Sequence, residues 1–176
     1  MASRGMDFYK TKGTHGVGNV NTFSIDVLPN GAIVAGASID NFTLGELGFD
    51  ADGNRTVTQL ADKTHKAVLV AGVERRFIDG EQLCDCYNAV GEPVRCVLFN
   101  RIVRFETSSF TKNAGVTTLK NGMVAHFDVT TKKFIISDSA SAHADYATSV
   151  NKFTVVDVDC TSIEGYPVIR LELNLA

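Results

Sequence analysis

The sequence contains no tryptophan, only three prolines, and no apolar stretch that approaches the length of a membrane span. The net charge is −3, and no run of lysine or arginine breaks that near-neutrality, so we expect neither nucleic acid nor a membrane as a partner. The first residues hold no apolar core of signal-peptide length, which predicts synthesis and folding in a cytosol. Because tryptophan is absent, aromatic packing must depend largely on the eleven phenylalanines.

Motifs that support catalysis are also missing. The sequence has no Walker loop and no G-x-S-x-G elbow, and Gly16-Val17-Gly18 lacks the flanking strand and helix of a dinucleotide fingerprint. The four histidines are scattered along the chain, at His15, His65, His126 and His143. We therefore expect a protein that is not an enzyme and that has no cofactor and no metal. Only residues brought together by folding would change that expectation.

The chain does contain many short β patterns separated by Gly, Pro and Asn turns. Residues 122–137, GMVAHFDVTTKKFIIS, predict two strands joined at Thr130 and Thr131. Residues 168–175 alternate between apolar and polar side chains, as a half-buried strand does. Roughly ten such strands predict an all-β (mainly β) fold, a sandwich or barrel of short antiparallel strands with an extended N-terminal arm.

Three further segments give local expectations. Residues 22–28 alternate, with Phe23, Ile25 and Val27 on one face, and predict a strand that turns at 29–31 into a returning strand at 32–35. Residues 50–54 suit a tight turn better than a calcium loop, because the glycine comes too early for the calcium pattern. Residues 41–49 are apolar but too interrupted by two glycines to predict a helix, and 137–149 suit either a short helix or an irregular loop.

The chain divides at about residue 22. Residues 1–21 are polar and Gly-rich and predict a flexible N-terminal arm, and residues 22–176 predict a β-rich body with room for two subdomains, 22–115 and 116–176. Such an arm is either a loose terminus or a segment that adds a strand to a partner's sheet edge. In the second case its binding residues are Phe8, Tyr9, Lys10 and Lys12.

The cysteines allow three interpretations, in descending order: free thiols, one disulfide, and a zinc site. They lie at Cys84, Cys86, Cys96 and Cys160. The C-x-C spacing does not fit a zinc knuckle. A hairpin centred on Gly91 would place Cys86 opposite Cys96, within reach of a cross-strand disulfide, although a cytosol favours thiols.

A family resemblance rests on the two-strand segment. Residues 122–128 (GMVAHFD) and 130–136 (TTKKFII) resemble the lambda-type head-decoration proteins of tailed bacteriophages, in which a Gly opens a strand, a polar turn follows, and a basic residue leads into a hydrophobic strand. Residues 81–110, with Tyr87-Asn88, Gly91-Glu92 and Val94-Arg95, also look like regions of small phage structural proteins. Residues 143–151 depart from the family's Gly-rich link and apolar strand.

The resemblance implies a capsid cement protein on the exterior of the virion. Its expected partner is the major capsid protein, and it would itself be a homo-oligomer, with a trimer favoured. The residues leave two alternatives open, another virion component such as a tail or head-fibre base, and a β-sandwich that binds a glycan or other ligand. A glycan-binding module would need an exposed aromatic cluster.

Overall fold

The two strands predicted within residues 122–137 form an antiparallel hairpin in the computed structural model of the protein. Their register runs from the pair Val124–Ser137 to the pair Asp128–Lys133. The Asp128 carboxylate accepts hydrogen bonds from the backbone N–H groups of Thr130 and Thr131 and so closes the turn. The predicted hairpin is confirmed.

The structure describes residues 15–22, 24–72, 83–159 and 165–175. Within these residues the strands, in chain order, are β1 (Gly18–Val20), β2 (Ala32–Val34), β3 (Ile39–Asp40), β4 (Thr43–Phe49), β5 (Arg55–Gln59), β6 (Val68–Val70), β7 (Tyr87–Asn88), β8 (Pro93–Val94), β9 (Cys96–Leu98), β10 (Arg104–Thr107), β11 (Phe110–Lys112), β12 (Val124–Asp128), β13 (Lys133–Ser137), β14 (Lys152–Asp157) and β15 (Ile169–Leu173). Short 3-10 helical turns lie at Leu83–Asp85, Ser139–Ser141 and Ala144–Tyr146. None of these helical turns has the length or hydropathy needed to cross a membrane.

The strands assemble into two large sheets and one small ribbon. The larger sheet has the order β1-β10-β15-β14-β12-β13-β11, the second sheet has the order β8-β2-β5-β4-β6-β9, and β3 pairs with β7. Neighbouring strands are antiparallel except in two parallel pairs, β11 with β13 and β2 with β5. The second sheet uses strands that precede residue 100, and the larger sheet uses those that follow it together with β1.

One hydrophobic core joins the two large sheets. Its centre is a set of buried phenylalanines from the larger sheet, Phe105, Phe127, Phe134 and Phe153, whose rings pack edge to face or tilted with centroids 5.2–5.7 Å apart. Side chains of the second sheet, such as Leu44 and Leu69, pack in the same cluster. The all-β prediction is confirmed, and phenylalanine supplies the aromatic part of the core.

Strand β4, the longest strand described, lies in the segment that the sequence showed to be too interrupted for a helix and where no strand was predicted. Gly45 explains why the sequence signal for this strand was missed. A Cβ atom at this position would lie 2.6 Å from Val57 Cγ2 and 3.0 Å from Val70 Cγ2, so the flanking strands approach too closely for any side chain. The tight turn predicted after this strand is confirmed, because the Asp50 carboxylate accepts hydrogen bonds from the N–H groups of Asp52 and Asn54.

The strand predicted at 22–28 and its returning partner at 32–35 do not pair with each other. The first segment runs beside β9 and forms only an isolated bridge between Val27 and Val97, while Phe23 lies outside the described residues. Strand β2 instead lies between β8 and β5. The predicted turn and returning strand are confirmed, since Gly31 donates its N–H to the Leu28 carbonyl and β2 follows. The predicted strand at 22–28 was wrong for its described residues, because β8 and the parallel β5 take both edges of β2 and Val27 stays 41% exposed.

The last residues of the predicted arm belong to the body. Strand β1 lies at the edge of the larger sheet and pairs with β10. Val17 is fully buried in a small cluster with Cys84 and Val168. His15 donates its backbone N–H to the Cys84 carbonyl, and its Nδ1 lies 2.7 Å from an Asp40 carboxylate oxygen. Any free arm therefore ends before residue 15.

Candidate functional site

His126 is a buried histidine on the outer face of the larger sheet. Its neighbours on β12, Ala125 and Phe127, point into the core. Because successive side chains of a strand alternate between faces, His126 points away from that core. It is nonetheless only 1% exposed, since residues 138–151 cover this part of the sheet and two of their side chains, those of His143 and Tyr146, contact its ring.

Local hydrogen bonds hold the covering segment, residues 138–151, in place. Asp138 caps the first 3-10 turn by accepting from the Ala140 N–H, and the His143 N–H donates to Ser137 Oγ at 3.1 Å. At the other end, the Asn151 side chain accepts from the Ala67 N–H. The segment is therefore anchored at both ends, and the second 3-10 turn lies over β12.

Three potential metal ligands, two from this segment and one from β12, converge where the segment meets the sheet. The rings of His126 and His143 stack with centroids 5.1 Å apart and an interplanar angle of 26°. Nδ1 of His143 accepts a hydrogen bond from the Asp145 N–H and lies 3.9 Å from Oδ2 of the same residue. One ligand atom from each of His126, His143 and Asp145 lies within 4.8 Å of the others, and no second group of this kind occurs in the described part of the chain.

The charge states of His126 and Asp145 suit metal binding. Burial, reinforced by the neighbouring His143, lowers the pKa of His126 to about 4, so its imidazole is neutral at pH 7. The hydrogen bond and ion pair with Lys63 lower the pKa of Asp145, which keeps this carboxylate ionised. Neither ring nitrogen of His126 has a hydrogen-bond partner among the described residues.

Sequence reasoning missed this cluster. His126 and His143 follow no ligand spacing, and the covering segment brings them together only in the folded chain. The available signal was a histidine in an otherwise apolar strand, between Ala125 and Phe127. A histidine at such a position needs a partner when it is buried.

Phe8, Tyr9, Lys10 and Lys12 lie outside the described residues, as does Cys160.

The hairpin that would set Cys86 opposite Cys96 is not present. Cys86 immediately precedes β7, which pairs with β3, whereas Cys96 lies on β9, which pairs with β6. Cys96 is a fully buried thiol, and burial raises its pKa to about 11. The two residues therefore lack the strand pairing on which the predicted disulfide or thiol pair depended.

The comparisons with known proteins agree on a phage origin. Residues 11–174 match the model of a family described as YonC prophage protein. The SPbeta prophage-derived uncharacterized protein YonC of Bacillus subtilis strain 168 is 47% identical, and the alignment covers 98% of each chain. No solved structure matches the chain. The phage origin implied by the resemblance is confirmed, and the chain belongs to the YonC prophage protein family.

Proposed function

We propose that this protein is a non-enzymatic structural component of the phage particle that binds the outside of the capsid lattice and stabilises it. The observation that carries the proposal is the prophage family together with an all-β body whose N-terminal segment enters at a sheet edge. The major capsid protein is the proposed partner, and the capsid exterior is the proposed location.

The base of the arm is fixed in a way that suits strand addition to a partner. Among the described strands, β1 pairs only with β10, so it forms one edge of the larger sheet. The buried Val17 and the pair between His15 and Asp40 hold the start of β1 against the body. Residues 1–14 directly precede this fixed point in the chain. An extended segment at that position would form backbone hydrogen bonds with a capsid protein.

Self-association would complete the proposal. Strands β1, β11 and β8 each form a sheet edge among the described strands, and edges of this kind are commonly covered in symmetric oligomers. A trimer would present three arms to a repeated lattice. Linked binding of this kind multiplies a modest affinity at each site.

Immunogold labelling of intact particles tests this proposal against the nearest alternative, a tail or head-fibre base. A C-terminal epitope on the full chain gives the label, and the C-terminal region is accessible because Leu175 is 51% exposed. We expect gold particles distributed over the whole head surface. Gold confined to the tail, or to one vertex of the head, would overturn the decoration role and favour the alternative.

A glycan-binding role receives less support. Among the described residues, Phe49 is the only Phe or Tyr whose side chain is exposed, at 64%. The guanidinium of Arg55 lies 4.0 Å from its ring centroid. A single ring already covered by a cation does not form the aromatic cluster on which a sugar would stack.

A further inference from the structure

We propose that His126, His143 and Asp145 form a binding site for one divalent transition-metal ion, with zinc as the best match, and that the ion fastens residues 138–151 to strand β12. The site is separate from the proposed capsid-binding arm, so it stands or fails independently of the proposed function.

The donor atoms select the class of ion. Two imidazoles and one carboxylate suit zinc and its first-row neighbours, whereas magnesium and calcium prefer a set made of oxygens alone. Structural and catalytic zinc sites both use these donors, and three protein ligands leave the fourth position to a water or a partner group. The side chains of His143 and Asp145 are 33% and 41% exposed, so solvent can reach that position.

The distances require only a small adjustment. Ligands of a tetrahedral zinc ion, bound at 2.0–2.2 Å, lie about 3.3 Å apart. Nδ1 of His143 and Oδ2 of Asp145 already lie 3.9 Å apart, and the widest separation in the group is 4.8 Å. An imidazole nitrogen binds a metal in the plane of its ring, so binding also requires the half-exposed His143 ring to turn out of its stack with His126. The buried His126 would stay in place while His143 and Asp145 rotate. The ion would replace the Asp145 N–H as the partner of His143 Nδ1.

The buried His126 ring supplies a second observation that supports a metal site, independent of the clustering of the three ligands. The ring is buried, and among the described residues neither of its nitrogens has a hydrogen-bond partner. Burying an unpaired polar group carries its full desolvation cost, and an apolar side chain at this position would avoid that cost. Coordination gives one nitrogen a strong partner and so provides a reason for a histidine here.

Lys63 positions the carboxylate. It pairs with Oδ1 of Asp145, while Oδ2 is the oxygen that lies toward His143. Lys63 also accepts, through its backbone carbonyl, the N–H of Val150 in the covering segment. Its side chain therefore orients the ligand without occupying the oxygen that faces the imidazole.

Two other histidine–carboxylate pairs of the described chain can be compared with this three-residue cluster. His15 pairs with Asp40 at 2.7 Å and His65 pairs with Glu46 at 3.0 Å, but neither pair has a third ligand nearby. The side chain of His65 is 59% exposed. His65→Gln is therefore a matched control that removes a surface histidine and leaves the cluster intact.

Calorimetric titration of the metal-free full chain with zinc tests the proposal, with cobalt absorption in the visible region as a report on the ligands. We expect one equivalent to bind. His143→Gln should lower the affinity by more than about 100-fold and Asp145→Asn by at least about 10-fold, since loss of outer-shell partners alone costs 10–100-fold. His65→Gln should leave the affinity unchanged, and Lys63→Gln, which keeps all three ligands but removes the side chain that orients Asp145, should lower the affinity by less than His143→Gln does.

Hydrogen exchange of the same samples tests the structural role. Zinc should slow exchange of residues 138–151 by at least about 10-fold in the parent chain and have no such effect in His143→Gln. Three results would overturn the proposal: no binding by the parent chain, equal binding by His143→Gln and the parent, or binding without protection of this segment. His143 is part-exposed, so its substitution tests the site without a cavity in the core.

Discussion

His126 and His143 stack with their ring centroids 5.1 Å apart, one on a central strand of the larger sheet and the other on the segment that covers it. The pair links a sheet to a segment with no strand pairing of its own. The buried ring of the pair has neither nitrogen hydrogen-bonded within the described residues. The His126 nitrogens therefore add no hydrogen bond to the described part of the metal-free protein, although they can bind a metal ion. Stability without metal and metal binding can be tested separately.

Replacement of His126 by leucine should not destabilise the metal-free protein. Leucine removes two buried polar nitrogens and keeps a side chain of similar volume, so in EDTA we expect the free energy of unfolding to rise or to stay within about 1 kcal/mol of the parent value. Urea denaturation measures this difference. A loss of more than about 2 kcal/mol would show that the nitrogens are hydrogen-bonded without metal.

Two glycines of strand β4 give a matched test of strand packing. Gly45→Ala places a Cβ 2.6 Å from Val57 Cγ2 and 3.0 Å from both Thr58 O and Val70 Cγ2, so we expect a loss of about 1–3 kcal/mol of stability. Gly48→Ala brings its Cβ within 4 Å only of Thr56 Oγ1, at 3.3 Å, and should be neutral or mildly stabilising. Equal effects of the two substitutions in thermal unfolding would contradict this account of the strand.

Cys96 should make stability fall in alkali. Its pKa is raised by burial from about 9 in the unfolded chain to about 11 in the folded protein. Between these pH values the unfolded chain loses the thiol proton and the folded chain keeps it, so stability decreases as the pH rises, by an amount on the order of 2 kcal/mol.

Urea denaturation across pH 8–11 measures the fall in stability expected from Cys96, and Cys96→Val should remove that part of the pH dependence. Alkylation followed by peptide mapping should label Cys96 only after unfolding, because the thiolate is the reactive form and the residue is fully buried. Rapid labelling of Cys96 in the native protein at pH 8 would contradict both expectations.

Removal of residues 1–14 should abolish binding to particles and leave the body folded. The cut keeps the contacts of His15 and Val17 and the whole of β1, whereas a cut at residue 21 would remove an edge strand and confound the result. Thermal unfolding establishes that the shortened chain is folded, and co-sedimentation measures binding.

Within the arm, a double substitution of Phe8 and Tyr9 by serine should weaken binding more than a double substitution of Lys10 and Lys12 by glutamine, because buried aromatic side chains dominate interface energetics. Full binding by the chain without residues 1–14 would refute the role of the arm.

Local periodicity was enough to predict part of this fold. The β12–β13 hairpin follows from two β-rich runs around an Asp-capped turn, and the strict alternation of β15 appears directly as buried and half-buried side chains. Both features depend on residues close in sequence. They also lie on the sheet that contains His126, so the strand bearing the site could be predicted although the site itself could not.

What the sequence could not provide depends on contacts between distant segments. Gly45 interrupts a strand pattern for a reason that becomes visible only when Val57 and Val70 are placed beside it. The parallel pairing of β2 with β5 has no local turn to announce it. In the same way, His126 becomes a candidate ligand only because residues 138–151 fold over it and bring His143 and Asp145 within reach.

The most direct test of the central claim is density-gradient fractionation of a lysate from induced source cells, with detection of this protein in each fraction. The proposed virion role predicts co-migration with assembled particles, in a fixed ratio to the major capsid protein across the peak. Recovery of the protein only at the top of the gradient, as a small free species while particles sediment without it, would contradict a structural role in the virion.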